Sequence, residues 1–144
     1  MSKKESLKYK DPFTVIPLEN HPDKRGNLFE ILRLSETDVS SEGCLSFSTI
    51  NQGEMRGDHY HQKKKMWFTC VSGEVVFLLE DAEGNKTKLV INSVQPTAVY
   101  CAPRTVRAIY NKKVEPAIIV FFASAENNPE NPDIFHHHID YGTD

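Results

Sequence analysis

The chain has 144 residues, with 17 Lys and Arg against 20 Asp and Glu and a formal net charge of −3, whereas a nucleic-acid binder carries a basic excess. Its longest apolar run is Ala117–Ala123, far short of the roughly 20 residues that a membrane-spanning helix needs. One cytoplasmic domain over residues 1–144, binding neither nucleic acid nor membrane, is the expectation.

Residues 1–12 are polar, lack the apolar centre of a secretory signal, and are expected to be loose. Beyond them, short runs rich in β-branched and aromatic residues predict nine strands. They are Phe13–Leu18, Asn27–Leu34, Cys44–Ile50, Lys65–Val71, Val75–Leu79, Lys88–Ile91, Ala98–Cys101, Val106–Tyr110 and Ala117–Phe122. Turn residues separate them, as in Asp23–Gly26, Asn51–Gly53, Asp81–Asn85 and Asn111–Lys113. Gly73 alone between two runs predicts a tight turn or bulge. Helix is expected only as one turn over Ser35–Ser41 and as a short C-terminal helix over Asn131–Ile139, where Asn131-Pro132 suits a cap and first position. Residues 126–144 otherwise form a tail. The pattern is that of an all-β sandwich or barrel. Cys44, Cys70 and Cys101 are odd in number and show no CxxC spacing, which argues against a disulfide framework or a zinc knuckle.

The chemistry-bearing stretch is Gly53–His61. In a strand, side chains two apart share a face, so His59 and His61 point together and Tyr60 points away. Two imidazoles on one face, beside Arg56 and inside an apolar pattern, mark a site. His136, His137 and His138 cannot all face one ion on a regular element and are read as surface residues of the C-terminal helix. Of Lys63, Lys64 and Lys65, a solvated loop is the expectation.

Gly53, five residues, His59-x-His61, eleven residues and Gly73 together resemble the first motif of the cupin superfamily. Pro103–Ala108, with Asn111 nearby, resembles the second. The resemblance implies a double-stranded β-helix, or jelly roll, in agreement with the strand count. The glutamate position of the first motif is Met66. The histidine position of the second is Ala108, or Arg107 one residue earlier. Metal-dependent cupins use those positions as ligands, and two imidazoles alone are short of the three protein ligands usual in catalytic zinc sites. No metal and no cofactor are therefore expected. A metal-dependent cupin, completed by a carboxylate or a C-terminal histidine, is an alternative reading.

Asp23-x-Arg25-Gly26 with Glu30, Arg56-Gly57-x-His59 and Tyr100-x-x-Pro103 further resemble the nucleotide-sugar cupins: the 3,5-epimerases, the 3,4-ketoisomerases and the capsular polysaccharide cupin domains. Phe68–Glu74 and Glu130–Asp133 look most like the last of these. The implied function is an isomerase or epimerase of a 4-keto nucleotide sugar, serving polysaccharide synthesis by proton abstraction beside the carbonyl. Such chemistry needs a base, an acid and donors to an enolate oxygen, and histidine titrates nearest neutrality. The resemblance implies His59 as base, His61 as second base, relay or sugar contact, and Tyr100 as proton donor. Arg56 is assigned to the enolate or a phosphate. Arg104 and Arg107 are alternative phosphate contacts, and Arg25 with Glu30 would contact nucleotide across a homodimer interface. A non-catalytic sugar- or nucleotide-sugar-binding cupin is the other alternative.

Overall fold

The computed structural model describes residues 8–39 and 42–141. The strands are β1 (Phe13–Pro17), β2 (Cys44–Ile50), β3 (Met55–Tyr60), β4 (Met66–Ser72), β5 (Glu74–Glu80), β6 (Lys86–Asn92), β7 (Thr97–Cys101), β8 (Val106–Tyr110), β9 (Ala117–Ala123) and β10 (Phe135–His136). They form two five-stranded antiparallel sheets, β1-β7-β4-β9-β2 and β10-β3-β8-β5-β6. Strands β2 to β9 thus set 2-9-4-7 against 3-8-5-6, a jelly roll.

Alternation along β4 builds the middle of the molecule. Met66, Phe68 and Cys70 join Phe77, Leu79, Val99 and Ile119 between the sheets. Each large side chain removed from water there contributes about 1.5–3 kcal/mol. Trp67 faces the other way, yet it is also buried, because Tyr100, Ala102, Tyr9 and Leu32 cover the outer face of that sheet. The segment before β1 is therefore a strap: the Pro12 carbonyl accepts from Ala102 N–H at 2.8 Å and from the Thr105 hydroxyl at 3.1 Å. Residues 1–7 lie outside the described part. Gly73 makes the β4–β5 turn at φ +83°, with no room beyond it before Ala117.

Three expected elements differ. Asn27–Leu34 is not a strand: Phe29 makes an isolated bridge to Asn20, and Leu28 is 62% exposed. An apolar run becomes a strand only beside a partner ladder, and among the described residues this one finds none. The single turn is a 3₁₀ turn over Leu34–Glu36, not Ser35–Ser41, of which Ser40 and Ser41 fall outside the described residues. The C-terminal segment is extended rather than helical. Phe135 and His136 pair with Tyr60 and His59, and His137 N–H donates to the Asp58 carbonyl at 2.9 Å, so these backbone groups are satisfied by β3. Strand β3 itself, Met-Arg-Gly-Asp-His-Tyr, is absent from the nine apolar runs because it is polar.

Candidate active site

A cavity of about 470 Å³ opens between the sheets on the side of β2 and β3. Ser46, Ser48 and Ile50 of β2, His59 of β3, Met66 and Phe68 of β4, Arg107 and Ile109 of β8, and Ile119 and Phe121 of β9 line it. His61 and Lys64 join them from the loop after β3.

A bulge delivers the histidines. The β3–β8 register shifts between Gly57 and His59, with Gly57 at φ +110° and Asp58 at φ +59°. A Cβ on Gly57 would lie 2.5 Å from the Arg107 carbonyl oxygen, so only glycine lets β3 approach β8 here. The C-terminal segment fastens the bulge from outside. His138 bonds the Asp58 carboxylate at 2.9 Å, and His137 bonds Glu80 at 2.7 Å. The three consecutive histidines therefore take separate partners, His136 lying 6.3 Å from His59 ring to ring. Tyr60 points away from the cavity and stacks on Phe135.

The rings of His59 and His61 lie 5.4 Å apart. His59 Nδ1 bonds the Gly57 carbonyl at 3.1 Å, and His61 Nδ1 bonds the Asp133 carbonyl. Carbonyls only accept, so in each ring Nδ1 carries the proton and Nε2 the lone pair. Both Nε2 atoms face one group: Arg107 Nη2 donates to His59 at 3.1 Å and to His61 at 3.2 Å. Burial, then the Arg107 charge, holds the His59 pKa below the ordinary histidine value, and the same causes take His61 to about 4. Two neutral imidazoles thus share one guanidinium, which is 6% exposed and lies 4.9 Å over the Phe68 ring.

Arg107, not Ala108, faces the cavity at the second-motif position; Ala108 packs with Val76 and Leu78 on the outer face of its sheet. A guanidinium there repels a divalent cation, and among the described residues no group of three or more His, Cys, Asp or Glu is placed to hold one. Asn111 is a structural knot: its amide donates to the Ile50 and Glu115 carbonyls at 2.9 and 2.8 Å.

The other expected site residues divide. Arg56 lines the cavity mouth, with Nε donating to the Thr49 carbonyl at 3.1 Å. Tyr100 is on the opposite face of β7, bonded to Asp11 at 3.0 Å, and burial followed by Asp11 raises its pKa. It does not reach the histidines. Arg25 pairs with Asp23 in an exposed turn and Glu30 with Arg33, both outside the cavity of their own chain. Arg104 sits within the second motif at φ +67°, its N–H on the His61 carbonyl at 2.6 Å.

Sequence reasoning passed over Asp133. Its carboxylate accepts the backbone N–H groups of Gln62, Lys63 and Lys64 at 2.8, 3.0 and 3.2 Å, while its carbonyl fixes the His61 tautomer. Burial would raise its pKa, but those three donors bring it below the usual carboxylate value. The available signal was its place in Glu130-Asn-Pro-Asp133. Lys64 was also missed, submerged in a run of three lysines.

The family model described as the polysaccharide biosynthesis C-terminal domain matches residues 21–135. The chain is 29% identical to the spore coat polysaccharide biosynthesis protein SpsL of Bacillus subtilis, over 85% of each chain. It is 27% identical to a UDP-2-acetamido-2,6-beta-L-arabino-hexul-4-ose reductase of Pseudomonas aeruginosa, over 80% of this chain but only 30% of the reductase. Among solved structures, the 3'-monoepimerase ChmJ of Streptomyces bikiniensis, in complex with dTDP-quinovose, aligns with a TM-score of 0.77 at 19% identity, covering 90% of this chain and 71% of that one. The 3,4-ketoisomerase QdtA of Thermoanaerobacterium thermosaccharolyticum, as the H51N mutant with TDP-4-keto-6-deoxyglucose, aligns at 0.71 and 18%, covering 89% of each. At these identities the two structures establish the jelly-roll fold.

Proposed function

The chain belongs to the polysaccharide biosynthesis C-terminal domain family, and from that premise we propose that it is an isomerase or epimerase of a 4-keto nucleotide sugar. The observation that carries this reading is the pair of neutral imidazoles whose Nε2 atoms meet on Arg107 inside the cavity. A proton beside a carbonyl is acidified, and a base that takes it creates an enolate. His59 Nε2 accepts that proton. Once protonated it no longer accepts from Arg107, and the released N–H turns to the enolate oxygen, where a desolvated donor counts most. Return of that proton from the His59 imidazolium, to the other face of the same carbon or to a neighbouring position, completes the shift. In this reading Arg56, at the mouth, binds the diphosphate. With Arg107 between the imidazoles, the proposed reaction needs no metal and no cofactor.

Support for the nucleotide-sugar class comes from the named activities of the structural neighbours and the polysaccharide roles of the relatives. We further propose that the chain acts as a single cupin domain in the cytoplasm and as a homodimer. Among the described residues no helix is long and apolar enough to cross a membrane. Strands β1 and β2 are sheet edges, and Leu45 and Phe47 of β2 are each 72% exposed, an edge that wants cover. In that dimer Arg25 and Glu30 would serve the partner's nucleotide. The test is incubation in D2O with dTDP-, UDP- and GDP-4-keto-6-deoxy sugars, followed by NMR. Deuterium entering at a carbon beside the keto group supports the proposal. Tight binding without exchange in any of them replaces it with a binding module.

A further inference from the structure

The lining of the cavity includes Arg56, Lys64 and Arg107 and, among the described residues, no carboxylate. Lys64 is the exceptional member. Only 9% of it is exposed, and among the described residues its hydrogen bond to a side chain runs from its backbone N–H to Asp133. Its neighbours differ: Lys65 is paired with Asp38, and Lys63 lies at the surface. No described residue gives the Lys64 ammonium a partner. Arg107, equally buried, has only neutral acceptors, the two imidazoles.

A cation that lines a cavity holding no carboxylate is left to water and neutral groups, and a like charge beside it is repulsive. Two such cations in one cavity fit a ligand that brings the missing negative charge. We propose that Lys64 and Arg107 form a buried anion subsite, and that the substrate carries an oxyanion group, carboxylate or phosphate, that reaches it. The position favours the carboxylate. Arg56 is exposed at the mouth and suits a diphosphate, whereas Lys64 and Arg107 lie inside, beside the histidines, where a sugar ring has to sit. The substrate class is then a nucleotide sugar with an acidic group on the sugar itself. This rests on the proposed use of the cavity, but its test reads binding rather than turnover. A protein that exchanges no carbon-bound proton can still pass it.

The test compares wild type with Lys64→Met, which keeps the length and apolar stem of the side chain and removes the charge. Without ligand the variant should melt no lower than wild type, because two like charges no longer share the cavity; a structural lysine would give the reverse. Melting and calorimetric titration are then followed with inorganic phosphate, glucuronate, UDP, UDP-glucose and UDP-glucuronate. A charge-assisted contact predicts a loss of affinity of about tenfold to a hundredfold in the variant. Loss confined to glucuronate and UDP-glucuronate establishes the carboxylate as the anion. Equal loss for phosphate, UDP and both nucleotide sugars establishes the subsite with phosphate as its occupant. An identical response of the two proteins to every anion, including none, overturns the proposal, as does a variant that melts lower than wild type.

Discussion

Acid should weaken this fold through His61, and the size of the effect follows from its surroundings. An unfolded chain titrates histidine near 6.5, while burial and Arg107 take His61 to about 4 in the folded protein. Between those values the unfolded state binds more protons, so stability rises with pH and is lost as pH falls. The contribution is complete above about pH 6.5, declines below it and is exhausted below about pH 4. Linkage gives a loss of about 2 kcal/mol between pH 7 and pH 5, and about 3 kcal/mol in full. For a chain of this size, 2 kcal/mol corresponds to a fall in Tm of roughly 4 to 8 °C. His59 adds a loss of the same sign. The assay is urea unfolding at several pH values for wild type and His61→Asn, whose amide can still donate to the Asp133 carbonyl. Carboxylates that lose their ion pairs in acid cancel in the difference between the two proteins. Stability curves that stay parallel from pH 7 to pH 5 would refute the assignment of a buried, neutral His61.

Asp133→Ala should free three backbone donors in the loop that carries His61 and Lys64, lowering kcat more than it raises KM while costing about 1–3 kcal/mol of stability; an unchanged kcat would make the clamp irrelevant to the site. Gly57→Ala should cost about 2 kcal/mol or more, since its Cβ would meet the Arg107 carbonyl oxygen at 2.5 Å, and a variant as stable as wild type in urea would show that β3 has room to shift. If Arg25 serves a partner's nucleotide, Arg25→Ala should raise KM with kcat preserved, and wild-type protein should sediment as a dimer; a stable monomer at micromolar concentration with unchanged KM would remove both claims.

Most of the jelly roll was legible because its strands carry their own signal. The stretch Ala117–Phe122 is apolar and β-branched, and its Ala117 and Ile119 are buried in the core between the sheets. Strand β3 carries no such signal, since its residues serve the bulge and the site. The C-terminal strand was illegible for another reason: two residues pair with β3 from 75 and 77 positions away, and the local sequence, with Asn131-Pro132, suits a helix start. Asn27–Leu34 shows the converse, a strand-like run without a neighbour to pair with. In the site, His59 and His61 were visible from spacing alone, because alternation fixes which side chains share a face. Tyr100 came by resemblance, and alternation along β7 places it on the outer face while Val99 and Cys101 point inward. Nothing in Lys63-Lys64-Lys65 tells one lysine from the next. Asp133, about 70 positions away, holds the loop that presents Lys64 to the cavity.

The central claim is that His59 removes a proton from carbon, and deuterium wash-in tests it most directly. Wild type and His59→Asn are compared in D2O by NMR on the sugar panel, with nucleotide binding measured in parallel. Loss of a general base predicts a fall in exchange of roughly a hundredfold to ten-thousandfold, with nucleotide affinity nearly unchanged because Arg56 at the mouth remains. Exchange in His59→Asn at the wild-type rate would contradict the account and move the base to another group in the cavity.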